Sequence, residues 1–416
     1  MTDTVDTAAL DGILASIFLT AEAKQDPYPG YAAVREAAPV HRTAFGPLLT
    51  ARYDECNRIL RDNRFGRGEQ EFDPNFWGLS LEEFEQRFPR RNQLEESMLG
   101  LDPPDHTRLR GLVAKAFTPN TVKALEPRIK ALTDRVLEPL EGDVDVMPDL
   151  ALKLPITVIS EMLGVPDADH DMLVPHIKVA VGGLATFQAD LEKFTAIYDA
   201  GNAISDYFTE LVEEKRSKPG DDVLTALLHA EEEGDKLTHP ELLSTVILLF
   251  VAGYETTTNL IGNGLRALLL HPEQLERLRH DRGHMKTAIE EMLRWDSPVQ
   301  GTARTALEDG LEVGGQPVPK GEQVLFLFGG ANRDPRAYGD DADAFDITRT
   351  GPAPVSFSAG IHYCLGAALA RAEGSIVFDS LLDRYTTIEP AWTELTYRDN
   401  FILRGLEALP VRLEVA

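Results

Sequence analysis

The segment from Pro240 to Leu270 constrains the fold most: roughly thirty residues of helical apolar periodicity, with no proline beyond the first position. Helices in globular proteins average about 10–14 residues, so one of this length needs a large core around it. Its middle, residues 249–258, reads Leu-Phe-Val-Ala-Gly-Tyr-Glu-Thr-Thr-Thr and turns abruptly polar. An acid and hydroxyls inside an apolar helix cost free energy unless they are hydrogen-bonded. Threonine can bond back to a carbonyl four residues earlier, and Gly253 weakens the ladder locally, so a kink or groove is expected here. The competing reading is a helix that simply leaves the core and lets Glu255 reach water.

Such a core is available. Of 416 residues 43% are apolar and 26% charged, the profile of an ordinary soluble globular protein. Amphipathic helices are expected at about Asp105–Phe117, Pro119–Glu138, Ile156–Leu163, Ala189–Arg216, Asp221–Glu231, Pro272–Asp281 and His284–Trp295, several opening on a Pro in the first turn. Short strands are expected at Pro39–Thr43 and Leu48–Arg52, then at Gly301–Leu307, Leu311–Val318 and Gln323–Phe328. A Gly-, Pro- and Asp-rich stretch, Gly329–Gly360, precedes a last helix, Gly366 to about Tyr385, and a short β tail. The expected architecture is one large, mainly α domain over residues 1–416, with small sheets near the N-terminus and in the C-terminal third. Residues 1–26 are expected as a loosely ordered extension.

The net charge of −27 disfavours nucleic acid and anionic membrane as partners. The opening residues lack the basic stretch of a secretory signal, and the longest apolar run falls short of the roughly 20 residues of a membrane span. Two cysteines, Cys56 and Cys364, cannot build a disulfide framework, which points to a reducing cytoplasm.

Cys364 sits in the most informative segment, FSAGIHYCLGAALARAE, residues 357–373. Gly360 precedes it and Gly366 follows, immediately ahead of a helix. The free N–H groups and positive dipole end of a helix favour a thiolate there. Glycines would let the backbone approach a bulky planar group, and N–H groups directed at the sulfur would tune a bound iron. By itself a lone cysteine is more often a small buried hydrophobe. Cys56, in Tyr-Asp-Glu-Cys-Asn-Arg-Ile-Leu, reads as such a structural position.

Phe357, Gly360, His362, Cys364 and Gly366 together resemble the haem-binding signature of the cytochrome P450 family. The resemblance implies haem b (iron protoporphyrin IX) as cofactor, Cys364 as its axial iron ligand, Phe357 as a shield over the sulfur and His362 as a partner of a haem propionate. The central helix resembles the family's oxygen-binding groove. Ala252 and Gly253 are then expected to make room for dioxygen, Thr256 to orient it and Glu255 to feed protons. Tyr254 stands where many members of that family carry a smaller or an imidazole-bearing residue. The His106-x-x-x-Arg110 pair, whose bland reading is a solvated helix face, and Arg304 match propionate partners. The pair Glu291 and Arg294, with Arg349, matches a buried structural triad.

These matches run from about Pro27 to Pro410. They imply a monooxygenase using dioxygen and electrons from a redox partner to hydroxylate or epoxidise a lipophilic small molecule. The helical spacing of Leu248 and Leu249 puts an apolar wall beside Thr256, and Val299 and Phe401 are further expected pocket residues. Phe72, Phe76, Trp77 and Phe84 form either a lid or core. Basic residues among 104–130, Arg108, Lys115 and Lys123 foremost, are expected to dock a ferredoxin- or flavodoxin-type donor fed by its reductase. Two other readings remain: a peroxide-driven haem enzyme of the same fold, against which Glu255-Thr256 argues, and a non-catalytic haem-binding sensor or carrier.

Overall fold

A computed structural model describes residues 7–68, 77–90, 96–182, 190–232 and 237–415. Helices dominate, and the described residues carry three small sheets. None of the helices among them is long and apolar enough to cross a membrane. The chain forms two compact units, neither continuous in sequence: Met1–Gly66 with Pro119–Leu154 and Thr256–Ala416, and Arg67–Thr118 with Pro155–Glu255.

The first unit is organised by a five-stranded sheet in the order His41–Arg42, Leu48–Thr50, Gln323–Leu327, Gly301–Ala306, Phe65–Gly66. Leu48–Thr50 runs parallel to Gln323–Leu327, with Leu48 opposite Val324, and the other pairs are antiparallel. Alternate residues point to opposite faces of a strand. Leu48, Val324 and Phe326 therefore pack with Cys56, Ile59 and Leu60 of the helix Tyr53–Leu60. Leu49, Leu325 and Leu327 pack on the other side with Leu10, Leu14, Ile17, Phe18 and Tyr31.

That second cluster corrects the expectation of a loose N-terminal extension. Thr7–Leu19 and Ala21–Gln25 are helices, and four apolar side chains of the first cover one sheet face. The Arg404 guanidinium adds a polar tie, donating to the carbonyls of Lys24 and Gln25 at 2.8 and 3.0 Å.

Two further differences have local causes. The strand expected over Leu311–Val318 folds back as a hairpin, Leu311–Val313 against Gln316–Val318. Gly314 and Gly315 turn it, at φ 55° and 80°, the positive pair a tight two-residue turn requires. The last sheet pairs the C-terminal strand Pro410–Val415 with Tyr385–Pro390 and with Gly142–Asp145, whose Gly-Asp-Val-Asp sequence carries little strand signal.

In the second unit the helices include Asp105–Val113, His170–Gly182, Leu191–Ser217 and Val223–Glu232. His170–Gly182 was not expected, because Pro175 interrupts an otherwise weak apolar pattern. The central helix, His239–Leu270, contributes its first half to this unit and its second half to the other.

Candidate active site

In the first unit, two 3₁₀ turns, Val355–Phe357 and Gly360–His362, lead into the helix Ala367–Arg384 with Gly366 at its N-cap. The Cys364 N–H donates to the Phe357 carbonyl at 2.9 Å and closes the loop. Cys364 is half-buried at the amino end of an 18-residue helix, where the dipole favours an anion. Cys56 differs. It is fully buried, and burial pushes its thiol well above the ordinary range.

The two loop glycines serve different ends. Gly360 adopts φ 68°, and a Cβ there would lie 2.2 Å from the carbonyl oxygen of Leu60. Its glycine thus admits the backbone of a neighbouring helix end. Gly366 faces open space, with nothing within 4 Å of a Cβ built on it. Ser358, at φ 60°, is a non-glycine residue in the left-handed region beside the thiol, a mark of local strain.

Glu291, Arg294 and Arg349 meet in one ion-pair cluster. Glu291 grips Arg294 through two contacts of 2.7 Å and accepts from Arg349 Nε at 3.3 Å. Arg294 also donates to the carbonyls of Asn332, Ala342 and Ala344 at 2.9, 2.6 and 2.8 Å, so its buried charge is satisfied by the irregular stretch it organises. Arg304 is buried on the strand Gly301–Ala306.

The central helix is buried residue by residue from Leu242 to Leu269, except for Ala252, Gly253, Thr256 and Arg266. Ala252 is exposed, and Gly253 and Thr256 are half-buried. Residues i and i+4 share a helix face, so Ala252 and Thr256 open one window in a covered surface. Glu255 beside them is only 5% exposed, which excludes a side chain reaching bulk water. Gly253 has a second use: a Cβ there would meet Ile159 of the helix Lys153–Leu163 at 2.9 Å, so it permits close helix packing.

Elsewhere in the second unit, His106 is buried and Arg110, one turn later, is half-buried, which excludes a solvated face. Arg108 is held by Asp105 at 3.0 Å and Glu241 at 2.5 Å, so its charge is compensated locally. Lys115 and Lys123 are exposed on their own helices. Leu248 and Leu249 are buried. Phe401 packs on Phe18 at 5.0 Å between ring centroids, against the N-terminal helix, and Val299 bridges Leu403. Phe72 and Phe76 lie outside the described residues. Trp77 and Phe84 gather with Phe88, Phe194 and Tyr198, three aromatic residues the sequence pattern did not single out.

Comparison with known proteins decides the family. The cytochrome P450 family model matches residues 185–403. Cytochrome P450 107B1 of Saccharopolyspora erythraea is 43% identical over 401 residues, covering 93% of this chain and 95% of that protein. The chain belongs to the cytochrome P450 family. The cytochrome P450 monooxygenase PikC of Streptomyces venezuelae is 37% identical over 404 residues, covering 93% of this chain and 91% of its own. A Bacillus megaterium cytochrome P450 solved with testosterone superposes with a TM-score of 0.84 at 34% identity, covering 94% of this chain and 99% of its own.

As a cytochrome P450 the protein is a haem-dependent monooxygenase that takes electrons from a redox partner, and haem b is its cofactor. The residues present fit that group. Cys364 offers a soft, half-buried sulfur at a helix amino end, and the open side of Gly366 leaves room for a flat ring. In the same unit, buried Arg304 supplies a donor of the kind that holds a carboxylate. Arg371 and Tyr363 flank Phe357 and Glu290 holds Arg371, an arrangement that no sequence pattern announces. In sequence Arg371 and Glu290 look like ordinary helix-surface charge.

Proposed function

We propose that Cys364 is the thiolate ligand of haem iron and that Glu255 and Thr256 deliver protons during oxygenation of a lipophilic small molecule. The net reaction consumes a substrate C–H bond, dioxygen, two electrons and two protons, and gives the alcohol and water. When bound, haem supplies the redox chemistry of dioxygen. The chain's own residues do the rest. The Cys364 sulfur, at the amino end of its helix, would ligate the iron and donate electron density to it. His106, Arg110, Arg304 and His362 would hold the propionates, and Phe357 would cover the sulfur.

One observation carries the catalytic reading: a buried carboxyl, Glu255, stands next in sequence to a hydroxyl, Thr256, in the only window of the central helix between Leu242 and Phe250 on one side and Thr257 and Leu265 on the other. Thr256 exchanges a proton at its Oγ1 within that window, and the Glu255 carboxyl replenishes it. Ala252 keeps the window free of side-chain bulk, and Leu248 and Leu249 keep its approach apolar. The testosterone in the Bacillus megaterium relative supports a lipophilic substrate. The exposed Lys115 and Lys123 suit an acidic ferredoxin- or flavodoxin-type donor, with Arg108 contributing less because Asp105 and Glu241 already neutralise it.

Thr256→Ala tests the relay. Product formation driven by a reduced partner should fall on the order of 10²-fold, the low end of a general acid–base contribution, while NADH consumption continues and hydrogen peroxide accumulates. Undiminished turnover with added peroxide as the sole oxidant, and none with the electron donor in the parent protein, would identify a peroxide-driven enzyme instead. No turnover by either route would favour a sensor or carrier.

A further inference from the structure

Phe357 is held from two directions. Its carbonyl accepts from Cys364 N–H at 2.9 Å, and its ring lies under the guanidinium of Arg371, with Arg371 Cζ 4.5 Å from the ring centroid. Arg371 is itself anchored: Nε and Nη2 donate to the two carboxylate oxygens of Glu290 at 2.5 and 3.1 Å, and Nη1 donates to the Tyr363 hydroxyl at 3.0 Å. The Tyr363 ring stands edge-on to Phe357, 6.4 Å away at 61°. Two side chains, Arg371 and Tyr363, thus meet one phenyl ring, and a third, Glu290 of the Met285–Trp295 helix, fixes Arg371. The Arg371–Glu290 pair is about one-third exposed, 30% and 35%, so water screens it and its attraction alone adds little to stability. Its geometry is more distinctive than its energy. A planar fork pinned at both edges presents a flat cationic face to an aromatic ring, an arrangement a lysine cannot reproduce.

We propose that Arg371 is a positioning residue for the thiolate: anchored by Glu290 and Tyr363, it clamps the Phe357 ring and so sets how readily the ligated iron accepts an electron. This rests on the assignment of Cys364 as the iron ligand. Groups around a metal's immediate ligands orient them and tune the metal, and burial and hydrogen bonding around a thiolate tune its potential. Removing Arg371 frees the ring and withdraws a positive charge from the sulfur's surroundings. Both the extra electron and the anionic sulfur lose that charge, so the oxidised form gains.

Potentiometric titration of the full-length holoenzyme tests this, with the carbon monoxide spectrum of each reduced sample recorded alongside. Arg371→Met should shift the one-electron equilibrium at least threefold toward the oxidised form. Arg371→Lys keeps the charge but not the planar fork, so it should restore only part of the midpoint shift. In a Phe357→Leu background the shift caused by Arg371→Met should fall to less than half, because the two residues act as one unit. Additive shifts in the double variant, an unmoved midpoint, or full rescue by Arg371→Lys would each overturn the proposal. Where Arg371→Met does not load haem, the lysine variant in both backgrounds decides the same question. A parent protein without the red-displaced carbon monoxide band would instead overturn the ligand assignment, a distinct result.

Discussion

Single residues on the helix Ala367–Arg384 show how burial rewrites chemistry. Glu373 is 1% exposed, and its Oε2 has no hydrogen-bond partner in the structure. Burial alone pushes its pKa up to about 8, from an ordinary value of 4.5. The folded protein therefore keeps a proton there that the unfolded chain releases above about pH 4.5. Stability falls as pH rises through that interval, by roughly 1.4 kcal/mol per pH unit, and levels off above pH 8. Glu373→Gln removes the titration. Its thermal midpoint should decline less steeply than the parent's between pH 5.5 and 8 and exceed it at pH 8. Parallel profiles would show that the carboxyl is already ionised in the fold. Nothing in Leu-Ala-Arg-Ala-Glu announces such a group, since a Glu after an Arg in a helix reads as surface charge. Cys364 was legible because its glycines and neighbours occur at fixed spacing. Gly360 was legible as a required glycine, but its reason, the Leu60 carbonyl at 2.2 Å from a Cβ, depends on a segment three hundred residues earlier in the chain.

At the scale of elements, two adjacent acids on the helix Met285–Trp295 make opposite energetic cases. Glu291 and Arg294 are each 2% exposed, whereas the Glu290 side chain is 35% exposed. Breaking a buried pair leaves an uncompensated charge and costs about 3–5 kcal/mol, while an exposed pair contributes about 0–1 kcal/mol. Glu291→Gln should accordingly lower unfolding stability by about 3 kcal/mol or more, and Glu290→Gln by less than about 1 kcal/mol, in chemical denaturation followed by far-UV circular dichroism. Equal losses would contradict the burial argument. The Glu-x-x-Arg spacing pointed to the pair, but not to the three carbonyls that Arg294 also satisfies. Elements with strong periodicity, such as the central helix and Pro119–Leu137, were legible to within a residue or two. Those held by tertiary packing were not. Thr7–Leu19 exists as an ordered helix because the sheet face of Leu49, Leu325 and Leu327 needs covering, and that demand is invisible in its own sequence. Phe401, expected in a substrate pocket, also packs on Phe18, a contact equally invisible in its own sequence.

For the whole molecule, the division into two sequence-discontinuous units was beyond reach of local patterns, because it arises from long-range pairing such as that of Leu48 with Val324. The proposed chemistry nonetheless concentrates in two short segments, Phe357–Glu373 and Ala252–Thr256, which stand out in the sequence by the spacing of particular side chains. Everything proposed about catalysis depends on sulfur ligating iron. The most direct measurement is the absorption spectrum of the reduced protein under carbon monoxide, for the parent and for Cys364→Ser. The parent should show the strongly red-displaced Soret band of thiolate ligation, and the serine variant should lose it. A parent spectrum typical of nitrogen-ligated haem, or an unchanged band in the variant, would contradict the account.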